Sequence, residues 1–415
     1  MKNFNKIVTV CLITIMVLLT GCSTQNTSEE SKSINGESKG FEETLALAKG
    51  KTVDFYAWGG SAAINKWLDD VVAKSLKEKY GITLNRVPMN IDEVLNKLSN
   101  EKQGGMSKGN IDVVWINGEN FYTAKNNRLL YGPITDKIEN YAKYIDTQGI
   151  EANYDFGNAI EGMQVPYGKA QLVFITDTSK VKDFPVNTDK LLNLAKENKG
   201  MLTYPAPPDF TGSAFIRNII YDIIGFDALN NAEADKEELY NVIKPALDYL
   251  NELEKYLWQE GKTYPKEVST LDKMYQDGQI LMTMSYTPMY AAQKIAAKEF
   301  PVTSDTFVFE KGNIGNTHYL AIPFNAPDKD AALVFINHII SVEMQISKYD
   351  VRNWGDLPVF DINKLSEEQK KALNEIDNGV GILTTEELLS KRKPEIDAKK
   401  IPIIEELWYE EVLKK

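Results

Sequence analysis

The chain of 415 residues has only two cysteines, Cys11 and Cys22, and both lie close to the N-terminus. A framework of disulfide bonds and a zinc site held by cysteines are therefore excluded for the rest of the chain. Histidine is equally scarce, because only His318 and His338 are present. This count disfavours a metal site built from several imidazoles, and we expect neither a metal nor a cofactor.

Basic residues are fewer than acidic ones: the chain has 47 Lys and Arg but 59 Asp and Glu, which gives a formal net charge of −12. Binding to phosphate backbones requires clustered Lys and Arg, and no such cluster is visible, so nucleic acid is not expected as a partner. The simple enzyme signatures HExxH and GxSxG are also missing. The sequence therefore predicts no catalytic residue.

An apolar run at the N-terminus, Ile7 to Leu19, follows Lys2 and Lys6. The run is too short for a stable membrane span and has the charge pattern of an export signal. It ends in Leu19-Thr20-Gly21-Cys22, which resembles a bacterial lipobox. In a lipobox, cleavage before the cysteine leaves that residue as a lipid-modified N-terminus.

We expect residues 1–21 to be a lipoprotein signal peptide and Cys22 to be the lipidated residue. Residues 22–40 contain several serines and charges and hardly any apolar side chain, so they predict a disordered tether. The lipid would hold the protein to the outer face of the cell membrane.

The remaining chain has the composition of a globular protein, with 43% hydrophobic residues, and its length suggests more than one core. The pattern after Phe41 predicts a strand at Thr52–Trp58, a helix opened by Ser61 and closed by Gly81, a strand at Ile82–Val87, a helix at Asp92–Lys102 and a strand at Ile111–Trp115. Such an alternation indicates a parallel sheet covered by helices, whose ligands bind beyond the carboxyl ends of the strands.

A second series of strands and helices follows, and it indicates a second α/β lobe. Strands are predicted at Leu172–Thr176, Met201–Tyr204, Ile280–Met284 and Tyr319–Pro323, a buried helix after Thr211-Gly212-Ser213, and a C-terminal helix at Ile401–Leu413 with Trp408 as its packing anchor.

Two motifs lie where the predicted strands of the first lobe end: Phe55-Tyr56-Ala57-Trp58-Gly59-Gly60, and Trp115 to Phe121. Together with the lipobox, the tether and two α/β lobes, they resemble the solute-binding lipoproteins of bacterial ABC importers. The resemblance is greatest to the group of thiamine-binding proteins and uncharacterised relatives with Trp-Gly-Gly and Trp-Ile-Asn-Gly-Glu-Asn motifs. Weaker matches follow in the family's order at Val165–Gly168, Tyr204–Ala206, Met284–Pro288, His318–Leu320 and Asn353–Trp354.

The resemblance implies a type II periplasmic-binding-protein-like α/β fold, in which two lobes are joined by a hinge. It places residues 41–168 and 316–355 in lobe 1 and residues 169–315 and 356–415 in lobe 2, with crossings near Gly168, Gly315 and Gly355. It also implies a monomer that captures a small molecule between its lobes and delivers it to an ABC permease and, through that permease, to an ATPase.

Candidate ligand-binding residues are aromatic and polar residues at predicted strand and helix ends. Trp58 and Trp115 are suited to stack on a flat or cationic ligand. Glu119 either pairs with a cation or is an ordinary acid in the first turn of a helix. The full set is Trp58, Gly59, Gly60, Trp115, Asn117, Glu119, Asn120, Tyr167, Gln171, Asp209, Thr211, Gly212, Ser213, Tyr286 and Trp354, whereas His318 is expected to be structural.

The sequence leaves the ligand open. Aromatic walls with nearby acids suit a cationic heterocycle such as thiamine, whereas free amides at Thr211-Gly212-Ser213 suit a phosphate or carboxylate. A polyamine and a sugar also remain open as ligands. Ferric iron is disfavoured, because the iron-binding members of this group usually have an adjacent pair of tyrosines and this chain has none. The alternative function is a lipid-anchored extracellular hydrolase that uses two carboxylates.

Overall fold

The computed structural model describes residues 40–414. The predicted signal peptide, the lipidated Cys22 and all of the predicted tether except Gly40 lie outside the described residues. Within residues 40–414, none of the helices combines the length and the apolar character that a membrane span requires.

The strands are β1 Thr52–Ala57, β2 Thr83–Pro88, β3 Val113–Ile116, β4 Leu130–Tyr131, β5 Tyr154–Asp155, β6 Asn158–Ala159, β7 Gln164–Gln171, β8 Val173–Asp177, β9 Met282–Ser285, β10 Ser304–Phe307, β11 Asn313–Pro323 and β12 Arg392–Lys393.

The α-helices are α1 Phe41–Ala48, α2 Ala62–Lys66, α3 Ala73–Tyr80, α4 Ile91–Gln103, α5 Gly118–Asn126, α6 Glu139–Tyr144, α7 Ile150–Asn153, α8 Thr188–Glu197, α9 Phe210–Ile224, α10 Phe226–Asn231, α11 Lys236–Glu254, α12 Val268–Gln276, α13 Tyr290–Ala296, α14 Lys329–Ile339, α15 Val342–Tyr349, α16 Glu367–Asn374, α17 Thr385–Ser390 and α18 Lys400–Trp408. Wider turns of π-helix join α2 to α3 at Trp67–Val72 and extend α18 at Tyr409–Leu413, and 3-10 turns lie at Thr135–Lys137, Trp258–Gly261 and Ile362–Lys364.

The first sheet has seven strands and contains the predicted β-α-β-α-β unit. Strand β1 pairs in parallel with β2 and with β3, as the alternation predicts. Strand β11 continues the sheet beside β3 in the antiparallel direction, and β7 pairs with β11. One face of this sheet packs against α1, α2 and α14, and the other against α4 and α5. The carboxyl ends of β1, β2 and β3 therefore meet at one edge.

The second sheet has three antiparallel strands in the order β10-β8-β9. Strands β8 and β9 confirm the predictions for Leu172–Thr176 and Ile280–Met284 to within two residues. The strand predicted at Met201–Tyr204 is wrong: the segment is extended, but it joins neighbouring chain only through isolated hydrogen bonds to the carbonyls of Met201 and Leu202. Helix α9 is buried in the core of this part, and Trp408 anchors the C-terminal helix there as predicted.

Strands β7 and β11 run side by side from one sheet to the other, with a ladder from Ala321↔Gln164 to Gly315↔Gln171. Leu357 pairs with Lys169 of β7 through an isolated bridge and so lies beside these two strands. At this crossing Lys348 is fully buried and forms an ion pair of 2.9 Å with Asp356, whose side chain is also buried. Gly168 is required here, because a Cβ atom would lie 2.4 Å from a carboxylate oxygen of Asp356. The division into lobes at given residues stays a prediction.

Candidate functional site

The loop after β1 presents Trp58 to solvent, with 51% of the residue exposed. The indole ring lies so close to Gly60 that a Cβ atom there would be 2.3 Å from it, and a Cβ atom on Gly59 would be 2.6 Å from Pro88. The two glycines therefore allow the turn that directs Trp58 outward. Ser61 then caps α2 by accepting a hydrogen bond from the Ile64 amide at 3.4 Å, as predicted.

The loop after β3 leads directly into α5, which begins at Gly118. The Gly118 amide donates a hydrogen bond of 2.8 Å to Asp155, and burial raises the pKa of this carboxyl to about 7. The side chains of Asn117, Glu119 and Asn120 make no hydrogen bond and no ion pair to any residue that the structure describes. The first turn of α5 and the residue before it thus offer three polar side chains that are available to a ligand.

Trp115 is half-buried at the end of β3 and belongs to a cluster of aromatic rings. It contacts His318 edge-on at 4.9 Å between ring centroids, Tyr167 at 5.5 Å and Trp354 at 5.6 Å. Tyr167 and Trp354 are buried, at 0% and 2% exposure, so they support Trp115 rather than present a face of their own. Burial lowers the pKa of His318 to about 3, which keeps the imidazole neutral.

The crossing strands carry buried polar side chains without partners. Both side-chain polar atoms of Gln171 and of Asn316, the Tyr167 hydroxyl and the His318 Nδ1 lack a hydrogen-bond partner among the described residues. Gln171 is completely buried and Asn316 is 4% exposed. A buried polar group without a partner costs about 1–3 kcal/mol, so these atoms call for water or a ligand.

The start of α9 differs from the prediction in the residue that caps the helix. The helix begins at Phe210, and Asp209 is its cap, accepting hydrogen bonds from the amides of Gly212 at 2.8 Å and Val268 at 3.3 Å. The predicted opening at Thr211 with free amides is therefore wrong, because a carboxylate of the protein already occupies this helix start. Gly212 is required by close packing, since a Cβ atom there would lie 2.0 Å from the Pro205 carbonyl oxygen.

A buried polar network continues along α9. Arg217 binds Glu395 with two hydrogen bonds of 3.2 and 3.0 Å, and both side chains are only 2% exposed. Ser213 accepts a hydrogen bond from Arg217 at 2.6 Å and donates one to Glu405. Tyr286 donates to Glu395 at 3.2 Å, and its ring contacts Phe210 at 5.0 Å between centroids.

Sequence reasoning did not single out Arg217, Glu395 or Glu405. The two glutamates lie 178 and 192 residues away from the α9 residues that they contact, so no local pattern connects them. One signal was present, because Arg217 is the only basic residue in a largely apolar helix. Such a buried charge requires a partner, although the sequence does not identify it.

The C-terminal segment that carries Glu395 and Glu405 also contacts residues on α5 and close to it. The Ala398 amide donates to the Phe156 carbonyl at 3.2 Å, and the Lys399 ammonium lies over the Tyr122 ring at 5.3 Å. Glu405, Arg217 and Glu395 all act electrostatically on Glu119.

Although Glu119 is accessible to solvent, burial by the surrounding protein raises its pKa, with further contributions from Glu405, Asp92 and Glu395 and an opposing one from Arg217. We use the term interlobe cleft for the space that the two-lobe fold predicts between two sets of residues: Trp58, Trp115 and Asn117–Asn120 on one side, and Phe210, Tyr286 and Glu405 on the other. No group of His, Asp and Glu within residues 40–414 has the arrangement of a metal site.

Solved structures of other proteins share this two-lobe fold. An ABC transporter structure from Clostridium perfringens superimposes with a TM-score of 0.60 at 20% identity, covering 86% of this chain and 98% of that one. The spermidine/putrescine substrate-binding protein PotD from Streptococcus pneumoniae gives a TM-score of 0.59 at 16% identity, over 87% of this chain and 98% of that one. These likenesses confirm the predicted fold.

Residues 71–373 match the family described as bacterial extracellular solute-binding protein. Over 335 residues the chain is 36% identical to Protein YnjB of Escherichia coli strain K12, covering 80% of this chain and 86% of that protein. The chain therefore belongs to the family of bacterial extracellular solute-binding proteins. This is a family of binding proteins, and membership implies that the chain works outside the cytoplasm.

Proposed function

We propose that this protein is the receptor of a bacterial ABC importer, which captures a small solute in the interlobe cleft and delivers it to the permease. The observation that carries the proposal is the run Asn117, Glu119 and Asn120 at the start of α5, whose side chains have no partner among the described residues. The charges of Arg217 and Glu395 act on Glu119, which supports a position near the second part of the chain. Polar groups of this kind give a ligand its orientation, while Trp58 and Phe210, 51% and 47% exposed, supply apolar contact.

Closure of the lobes is part of this proposal. Strands β7 and β11 connect the two sheets side by side, and Leu357 pairs with β7, so the connecting segments are adjacent and are suited to act as a hinge. A ligand that contacts both faces stabilises the closed arrangement only as far as it binds that arrangement better than the open one.

A screen followed by scattering tests the receptor function. Vitamins, polyamines, sugars and organophosphates are added to the protein without its signal peptide, and a ligand is expected to raise the melting temperature by linkage. At saturation the same compound should reduce the radius of gyration measured by small-angle X-ray scattering. A verified ligand that causes no compaction would contradict lobe closure.

The lipid anchor is a second part of the proposal, and it rests on Leu19-Thr20-Gly21-Cys22 at the end of the apolar run. We expect the Cys22→Ser protein to be released from the membrane fraction or to remain unprocessed, because serine offers no thiol for lipidation. Mass spectrometry of the membrane-extracted protein checks this. An unchanged mass and unchanged membrane retention of the variant would rule the anchor out.

A further inference from the structure

The hairpin of strands β5 and β6 has a strained turn. Its two central residues are Phe156 and Gly157, because Asp155 pairs with Asn158 across the loop. Their φ angles are 44° and 74°, and a turn in which both φ angles are positive normally carries Asn-Gly. A bulky residue in this region is a backbone outlier, which persists only where the surrounding structure fixes it. The contacts of Phe156 must therefore offset the strain of its backbone.

The turn of this hairpin is packed on the C-terminal segment. Phe156 is 7% exposed and belongs to the core that α9, α11 and α18 build beside the second sheet. Its carbonyl accepts a hydrogen bond of 3.2 Å from the Ala398 amide. Gly157 lies so close to Asp397 that a Cβ atom there would be 3.3 Å from the Asp397 Cα atom. Both the ring and the backbone of the turn thus contact the second part of the chain.

The same hairpin also holds α5, which follows β3 of the first sheet. Asp155 is 2% exposed and accepts a hydrogen bond of 2.8 Å from the Gly118 amide, the first of the helix. The Phe156 ring covers Gly118, where a Cβ atom would lie 3.2 Å from it. In the last turn of α5, Lys125 donates a hydrogen bond of 2.6 Å to the Ala159 carbonyl. The hairpin therefore contacts α5 at both of its ends.

Building on the receptor function proposed above, we propose that the β5–β6 hairpin is a clasp that fixes the start of α5 to the C-terminal segment. Asp155 and Phe156 are then positioning residues for the side chains of Asn117, Glu119 and Asn120. These three side chains lie on the first turn of α5 or directly before it, so the direction of that turn decides where they point. Asp155 fixes the turn through its first amide, and the burial of the adjacent Phe156 keeps Asp155 in place.

Replacement of Phe156 by asparagine distinguishes a clasp from an ordinary turn. Asparagine followed by glycine suits this turn, so Phe156→Asn relieves the backbone strain while it removes the ring. Without the ring, the first turn of α5 loses its support. Hydrogen–deuterium exchange mass spectrometry of the ligand-free protein should then show exchange at least about tenfold faster in residues 115–126, and unchanged exchange in α14.

Conservative variants and a matched control accompany this test. Phe156→Leu keeps an apolar side chain in the core and should retain most of the protection. Asp155→Asn keeps an oxygen that can accept the hydrogen bond of Gly118, whereas Asp155→Ala removes it, so only the alanine variant should speed exchange. Asp155→Ala also provides the test if Phe156→Asn does not fold. Lys298 has a φ angle of 58° but is exposed, so Lys298→Asn should leave exchange in α5 unchanged.

Ligand binding gives a second readout, which a purely structural hairpin would not change. In calorimetry with the compound that raises the melting temperature most in the ligand screen, Phe156→Asn should bind at least about tenfold more weakly than the wild type. Lys298→Asn should bind with unchanged affinity.

The outcomes separate this proposal from the receptor function, because the exchange measurement needs no ligand. Wild-type exchange rates in residues 115–126 of both Phe156→Asn and Asp155→Ala would overturn the clasp and leave the receptor function intact. Faster exchange with unchanged affinity would overturn the positioning role of the two residues. Failure of every compound in the screen to bind would count against the receptor function, whereas the exchange rates would still decide whether the hairpin is a clasp.

Discussion

Replacement of Lys348 by methionine is expected to lower the free energy of unfolding by about 3–5 kcal/mol, because it leaves the carboxylate of Asp356 buried without its partner. Both side chains are almost completely buried, and the Lys348 ammonium also donates hydrogen bonds of 2.8 Å to the carbonyls of Tyr167 and Leu357. Burial lowers the pKa of Lys348 and raises that of Asp356, so each group needs the other to remain charged. Urea denaturation followed by circular dichroism measures the effect.

Two variants make this result specific. Lys348→Met combined with Asp356→Asn removes both charges and should recover much of the loss, since a buried pair that is replaced as a whole costs little. Lys244→Met breaks the ion pair of 2.6 Å with Asp248, in which both side chains are exposed, and should change the free energy of unfolding far less than Lys348→Met. If Lys348→Met costs no more than Lys244→Met, the buried pair does not hold the crossing segments together.

The strands and helices of the first sheet could be predicted closely, because their signals are local. Thr52–Ala57 is a run of β-forming residues that ends at two glycines, and Ser61 and Gly81 mark the ends of the following helix. Gly81 has a φ angle of 70°, a conformation that glycine adopts without strain. Each of these signals acts over a few residues, so a sequence alone reveals it.

The start of α9 could not be predicted as well, because two capping patterns overlap. Thr211-Gly212-Ser213 resembles a helix opening, yet Asp209 directly precedes the first helical residue and its carboxylate reaches the Gly212 amide. Pro205 also packs so closely against Gly212 that only glycine fits there. This contact, and the pairing of Arg217 with Glu395, arises from tertiary packing.

The two tryptophans at the strand ends illustrate what the sequence leaves undecided. Trp58 and Trp115 both follow parallel strands and both precede glycine or polar residues, so the pattern treats them alike. The structure separates them: Trp58 is exposed, whereas Trp115 contacts His318, Tyr167 and Trp354. Truncation of Trp115 should therefore affect both binding and stability, and Trp58 is the residue that reports on binding alone.

The measurement that tests the interlobe cleft most directly is calorimetric titration of the wild type and Trp58→Ala with the compound that raises the melting temperature most in the ligand screen. Trp58 is 51% exposed, so its removal should leave the melting temperature nearly unchanged. Loss of a ring that stacks on the ligand should cost about 1–3 kcal/mol, equivalent to a dissociation constant about 5- to 150-fold weaker. Tyr409→Ala, which removes an exposed aromatic ring near the C-terminus (44% exposed), should change neither quantity. A Trp58→Ala protein that binds this compound as tightly as the wild type would show that the ligand does not lie in this cleft.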